Sequence, residues 1–209
     1  MVRIIGYGED GLTYCALEDH LDEFLEKVND QPNPDNCLVF YRPSLGRGSK
    51  LNKTFGEFDA IVVSKSRVYL IESKWEKSDE WKKRKNTITI SDSQIRRHEI
   101  FAWYLTRWRI EDTWESFENE YEEEFRRKFN GRNMPASNRT LAINLKQILP
   151  MIIRQEPANL EPVNVILFFR RKDSPVKEDP SCDSKQLHFD VVVMKFDPMG
   201  DSNLFEMNP

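Results

Sequence analysis

The sequence predicts an α/β domain with a mixed central β-sheet flanked by helices, plus a helical insertion. Three observations carry that expectation. Stretches of helical period alternate with short apolar runs along the 209 residues. Two of those runs, 55–63 and 67–75, flank Ser64-Lys65-Ser66-Arg67, a connection of hairpin length. Two further strand patterns, VNVILFFRR at 163–171 and LHFDVVVMKF at 187–196, stand late in the chain.

Taken in order, Leu17, Leu21, Phe24, Leu25 and Val28 recur at helical spacing, so 9–29 reads as one amphipathic helix. The proline and turn chemistry of QPNPDN ends it. CLVFYR at 37–42 is the first strand, and the basic, Gly/Ser-rich loop PSLGRGSKLNKT leads from it into the hairpin. TITIS at 87–91 alternates as a short strand, and Ser91 opens a helix running to about 110. A second helix, 112–130, carries Trp114, Phe117, Tyr121, Phe125 and Phe129 along one side and acid along the other. Its aromatic stripe reads as core or dimer packing. A third helix covers 139–153. No repeat, low-complexity tract or break in composition divides the chain. The reading is one domain over 1–209, with its core at about 9–110 and 163–197 and the insertion at about 111–160.

Composition narrows the function classes. With 13 Phe, 6 Tyr and 5 Trp, the chain is not a disordered one. No run approaches the ~18 apolar residues of a membrane span, and MVRIIGYGEDG lacks the features of a signal peptide. Cys15, Cys37 and Cys182 are far apart and form no CxxC pair, which argues against a disulfide framework or a zinc knuckle. A reducing, cytoplasmic location is the expectation. The net charge of −4 hides an asymmetry. Residues 111–125 hold eight acids and no Lys or Arg, whereas 42–109 holds 16 Lys/Arg against 8 Asp/Glu. A basic module of that kind suits a polyanionic partner. P-loop, GxSxG, Rossmann and HExxH patterns are absent, and His20, His98 and His188 have no partners at metal-ligand spacing.

The hairpin carries the chemistry. A register in which Ser64 faces Arg67 sets Asp59 opposite Glu72, with Cβ atoms about 4.5–5.5 Å apart. Lys74 follows on the same face, and so does Glu57. That face also carries Ile61, Val63, Val68 and Leu70, while the other carries Phe58, Ala60, Val62, Tyr69 and Ile71. Strands apolar on both faces are covered on both sides, so charges placed in them call for a reason. Two such carboxylates repel unless a cation lies between them, and Mg²⁺ is commonly held by one or two carboxylates together with waters and phosphate oxygens. An adjacent lysine stabilises developing charge. The cluster points to metal-assisted phosphodiester hydrolysis.

Gly56-Glu57-Phe58-Asp59, twelve intervening residues and Glu72-Ser73-Lys74 resemble the signature of the PD-(D/E)XK nuclease superfamily. The pattern is nearest to its junction-resolvase, Mrr-like and nuclease-related (NERD) branches and extends over about 9–105. The resemblance implies a restriction-endonuclease-like three-layer core and a deoxyribonuclease, endo- or exonuclease, dependent on Mg²⁺ or Mn²⁺. It implies that Asp59, Glu72 and the Ser73 carbonyl hold metal and that Lys74 serves the attacking water. The family often adds a polar residue on the following helix, where Gln94 and His98 form the polar end of an otherwise apolar face. Ser91-x-x-Gln94 is also a capping-box spacing, so Gln94 has two readings. Many members carry a further acid on the first helix; Glu9 and Glu18 are both candidates. Arg42, Arg47, Lys50 and Lys53 before the motif, and Lys82, Lys83, Arg84, Lys85 and Arg97 after it, are candidate phosphate contacts. The expected partner is DNA, branched and single-stranded forms included, with no membrane and with a second copy of the chain as a further candidate. The competing readings are a nucleic-acid-binding module on a degenerate nuclease fold and a protein-interaction domain using the acidic aromatic helix.

Overall fold

A two-residue turn at Lys65-Ser66, closed by the Ser64 N–H donating to the Arg67 carbonyl (2.9 Å), sets the hairpin from which the rest of the fold is built. The computed structural model describes residues 4–45, 56–82, 85–184, 186–200, 202 and 204–207. Along the chain the elements are β1 (Ile4–Tyr7), α1 (Gly8–Glu18), α2 (Leu21–Lys27), β2 (Leu38–Tyr41), β3 (Ala60–Val63) and β4 (Val68–Trp75). They continue with β5 (Trp81–Lys82), β6 (Thr87–Thr89), α3 (Asp92–Arg107), α4 (Trp114–Lys128) and α5 (Thr140–Arg154). The last four are β7 (Val163–Arg171), β8 (Ser181–Asp183), β9 (Asp190–Phe196) and β10 (Leu204–Met207).

The main sheet is mixed, in the order β2-β3-β4-β7-β9. Its first three strands are antiparallel, and β7 and β9 then add in parallel. The hairpin register pairs Ala60 with Ile71 and Val63 with Val68, as the sequence predicts, and the regular ladder ends at Ala60; Asp59, just ahead of it, donates its N–H to the Ile71 carbonyl. Residues of β3 and β4 alternate between two apolar layers. Ala60, Val62, Tyr69 and Ile71 pack with Leu12, Leu17, Leu21, Phe24 and Leu25 of α1 and α2. Ile61, Val63, Val68 and Leu70 pack with Phe101, Leu105, Leu145 and Leu149 of α3 and α5. The sheet is therefore covered on both faces, which is why its strands read as nearly continuous apolar runs.

Three expectations are corrected. The helix expected over 9–29 is two helices, because His20 leaves helical dihedrals (φ −132°, ψ 28°). Both pieces then lay their apolar sides on the same layer. Phe58 belongs with Ile61 and Leu70, not with Ala60 and Val62. It precedes β3 in a bent segment, where strict alternation does not apply. Finally, β1 with β10, and β5 and β8 flanking β6, form two small extra sheets that the sequence pattern does not predict.

Within the stretch expected as an insertion, α4 turns its aromatic residues inward. Trp114, Phe117 and Phe125 are buried against Trp103, Tyr104 and Trp108. Two of its acids reach back along the chain, Glu124 to Arg107 at the end of α3 (2.6 Å) and Glu120 to Arg109 just beyond it. Two arginines of the basic module are thereby committed to this helix. Among the described residues, no helix is long and apolar enough to cross a membrane.

Candidate functional site

The charged residues of the hairpin gather where the C-terminal half of β4 passes the starts of α1 and α3. Asp59 stands just ahead of β3. Its backbone N–H donates to the Ile71 carbonyl (3.1 Å), and its Oδ2 accepts from the Ser73 N–H (2.7 Å). Burial, and then the Glu72 charge, push its carboxyl up to about 7, against the opposing pull of the Ser73 N–H and Lys74.

Glu72, only 2% exposed, reaches α3. Its Oε1 pairs with Arg97 and lies 3.0 Å from His98 Nε2, and its Oε2 accepts from Gln94 Nε2 (2.9 Å). Burial alone would raise this carboxyl; the His98 hydrogen bond and the Arg97 charge overcome that and hold it at about 2. Side chains three and four positions apart on a helix share a face, which is how Gln94, Arg97 and His98 converge on one carboxylate. The two readings of Gln94 are both realised. Its Oε1 accepts from the Ser91 N–H (3.1 Å) as a capping box, while its Nε2 holds Glu72.

His98 is completely buried. Its Nδ1 faces Asn164 Oδ1 on β7 (2.8 Å), while Asn164 Nδ2 donates to the His188 carbonyl (3.2 Å). The two ring nitrogens thus link Glu72 on β4 to Asn164 on β7. Sequence reasoning missed Asn164, although a lone amide in the run VNVILFF was a signal.

Lys74, 4% exposed, does not extend toward Glu72. Its ammonium donates to the Ser73 carbonyl (2.8 Å) and lies 3.8 Å from Glu9 Oε1 at the start of α1. Glu9 also accepts from the Ser78 hydroxyl (3.0 Å), and burial raises its carboxyl despite Lys74 and Ser78. Thr13, one turn further along α1, donates to Ser73 Oγ (2.6 Å), so α1 is tied to the strand on which the site is built. The two first-helix acids thus separate. Glu9 is in the cluster, and Glu18 is exposed at the far end of α1.

The basic residues fall out differently. Arg97, expected to contact phosphate, is 8% exposed and committed to Glu72. Arg42 pairs with Asp10 and with Glu57 Oε2 (3.1 Å). Lys82 and Lys85 are exposed, Lys82 donating to the Asp79 carbonyl (2.9 Å). Arg47, Lys50, Lys53, Lys83 and Arg84 lie outside the described residues.

Among the described residues, no group of three or more His, Cys, Asp and Glu side chains is arranged to hold a metal ion. The donors that do gather are the carboxylates of Asp59 and Glu72, close enough for their charges to interact. That suffices for a hard cation that keeps several waters. Glu72 has about four acceptor positions and uses three, which leaves one on Oε2. Asp59 is buried beside a second negative charge, and Lys74 and the Ser73 N–H offset only part of the resulting rise of its carboxyl. On both counts the residues fit a divalent ion. No protein-family model matches the chain, and neither a curated protein nor a solved structure does.

Proposed function

We propose that this protein is a metal-dependent deoxyribonuclease whose site is Asp59, Glu72 and Lys74, with Glu9 and Gln94 as supporting residues. The observation that carries the reading is Asp59. A carboxyl is held near neutrality by burial and by Glu72 across the hairpin, with Lys74 close enough to oppose the shift. A fold does not need such a pair in otherwise apolar strands, and functional sites are where perturbed carboxyls concentrate. The mixed sheet with helices on both faces agrees with the restriction-endonuclease-like core that the motif resembles.

Asp59, Glu72 and the Ser73 carbonyl would hold Mg²⁺ or Mn²⁺. Bound there, the ion acidifies water and neutralises phosphate charge. The chain's own contributions follow from the contacts. Gln94, Arg97 and His98 fix the orientation of Glu72. Lys74 is held by Ser73 and Glu9 as a buried positive charge at the strand end, where charge would develop on a phosphate. Lys82 and Lys85 offer exposed positive charge for the backbone.

One observation favours a second reading, a DNA-binding module without turnover. Glu72 already has compensating donors within the protein. The protein-interaction reading loses its aromatic surface, since the α4 stripe is buried. Linear, branched and single-stranded DNA incubated with Mn²⁺ or with EDTA separates these readings. Cleavage in Mn²⁺ that Asp59→Ala abolishes is the expected result. Salt-dependent retardation without cleavage would establish the binding module and overturn the nuclease.

A further inference from the structure

Arg97 is buried among groups that use little of its hydrogen-bonding capacity. Its guanidinium carbon stands 5.2 Å from the centre of the Phe58 ring. One nitrogen, Nη2, pairs with Glu72 Oε1. Its Nε is buried with no hydrogen-bond partner among the described residues. Gly56, within the signature motif, leaves the space for Nη1, because a Cβ at that position would collide with it. Of a planar fork with five N–H donors, one arm is placed on a carboxylate and the rest is packed against a ring and a backbone.

We propose that Arg97 is a resident counter-cation that competes with a divalent metal for Glu72 and so sets the metal concentration at which the site becomes occupied. The inference rests on the nuclease reading and adds a means of regulation to it. A guanidinium and a metal ion drawn to one buried carboxylate repel each other, and in a poorly solvated site that repulsion is felt strongly. Gln94 and His98 keep Glu72 in place when Arg97 is moved, so the carboxylate remains available. Arg97 is thus a positioning residue whose presence weakens metal binding.

Mn²⁺ titrated calorimetrically at pH 8, without DNA, into the full chain and into Arg97→Gln and Gly56→Ala provides the test. Arg97→Gln removes the competing charge. Gly56→Ala leaves the charge and dislodges it from its seat, and it guards against a failure of the first variant to fold. Each is expected to bind Mn²⁺ about tenfold more tightly than the parent, the order of effect for one nearby charge. Arg97→Lys, which keeps the charge and loses the fork, is expected to stay near the parent value. If the parent binds Mn²⁺ and neither Arg97→Gln nor Gly56→Ala binds more tightly, Arg97 does not compete and the inference falls while the metal site stands. If none of the proteins binds Mn²⁺, the metal reading and the inference fall together.

Discussion

Asp59→Asn is expected to stabilise the metal-free protein. The folded carboxyl titrates at about 7, against about 3.9 in an unfolded chain. Between those values the folded state binds more protons than the unfolded one, so stability falls as pH rises through that window. Above pH 7 the penalty is complete. About three pKa units correspond to roughly 4 kcal/mol as a ceiling. Asparagine removes the charge and keeps an oxygen to accept from the Ser73 N–H, now 2.7 Å from Oδ2. If half or more of the ceiling is realised, Tm rises by about 5–10 °C at pH 8 for a domain of this size. At pH 5 the folded carboxyl is already protonated, and the gap should shrink to about a third. Scanning calorimetry in EDTA at the two pH values measures both numbers. A gap of equal size at pH 5 and pH 8, or a lower Tm for Asp59→Asn at pH 8, would refute the reasoning. Saturating Mn²⁺ at pH 8 should raise the Tm of the parent and leave that of Asp59→Asn nearly unmoved.

Glu72→Gln should act in the opposite direction, costing about 3–5 kcal/mol in urea denaturation, because Arg97 and His98 lose their buried anion. The depressed Glu72 carboxyl gives stability that is complete above pH ~4.5 and disappears only as pH falls through about 2. A neutral effect at pH 7 would mean that the pairing contributes nothing. Lys74→Ala should leave the calorimetric Mn²⁺ affinity nearly intact while reducing cleavage by about 10²–10³; equal activity in the two proteins would remove Lys74 from the site. Changing Lys82, Lys83, Arg84 and Lys85 together to Ala should flatten the dependence of log DNA affinity on log salt by up to about 3.6, at ~0.9 for each phosphate left without its cation. An unchanged slope would mean that the cluster is merely solvated.

The hairpin register was legible because two apolar runs and a four-residue connection admit few pairings, and a one-residue slip would turn every side chain over. That register alone set Asp59 across from Glu72. The partners of Glu72 were only half legible. Gln94 and His98 stood out as polar residues on an apolar helical face, but Arg97 in QIRRHE read as a phosphate contact on the surface. Its role depends on Phe58 and Gly56, which the bend before β3 brings over it. Glu9 and Glu18 looked equivalent because they sit on one helix; only the docking of α1 through Thr13 and Ser73 distinguishes its two ends. The pairing of β1 with β10 joins opposite ends of the chain through two four-residue strands, too short for a pattern to announce.

The parallel pairing of β4 with β7 orders events during synthesis. The hairpin that holds Asp59 and Glu72 closes through local contacts and can form soon after its residues leave the ribosome. The other edge of β4 waits for a strand that begins at Val163, and so does His98 for Asn164. Until then a buried strand edge and a charged pair are open to solvent, and closing that long-range contact is the slow kind of step. The nascent chain is thus most exposed to wrong pairing, through the strand that bears Glu72 and Lys74, until β7 arrives.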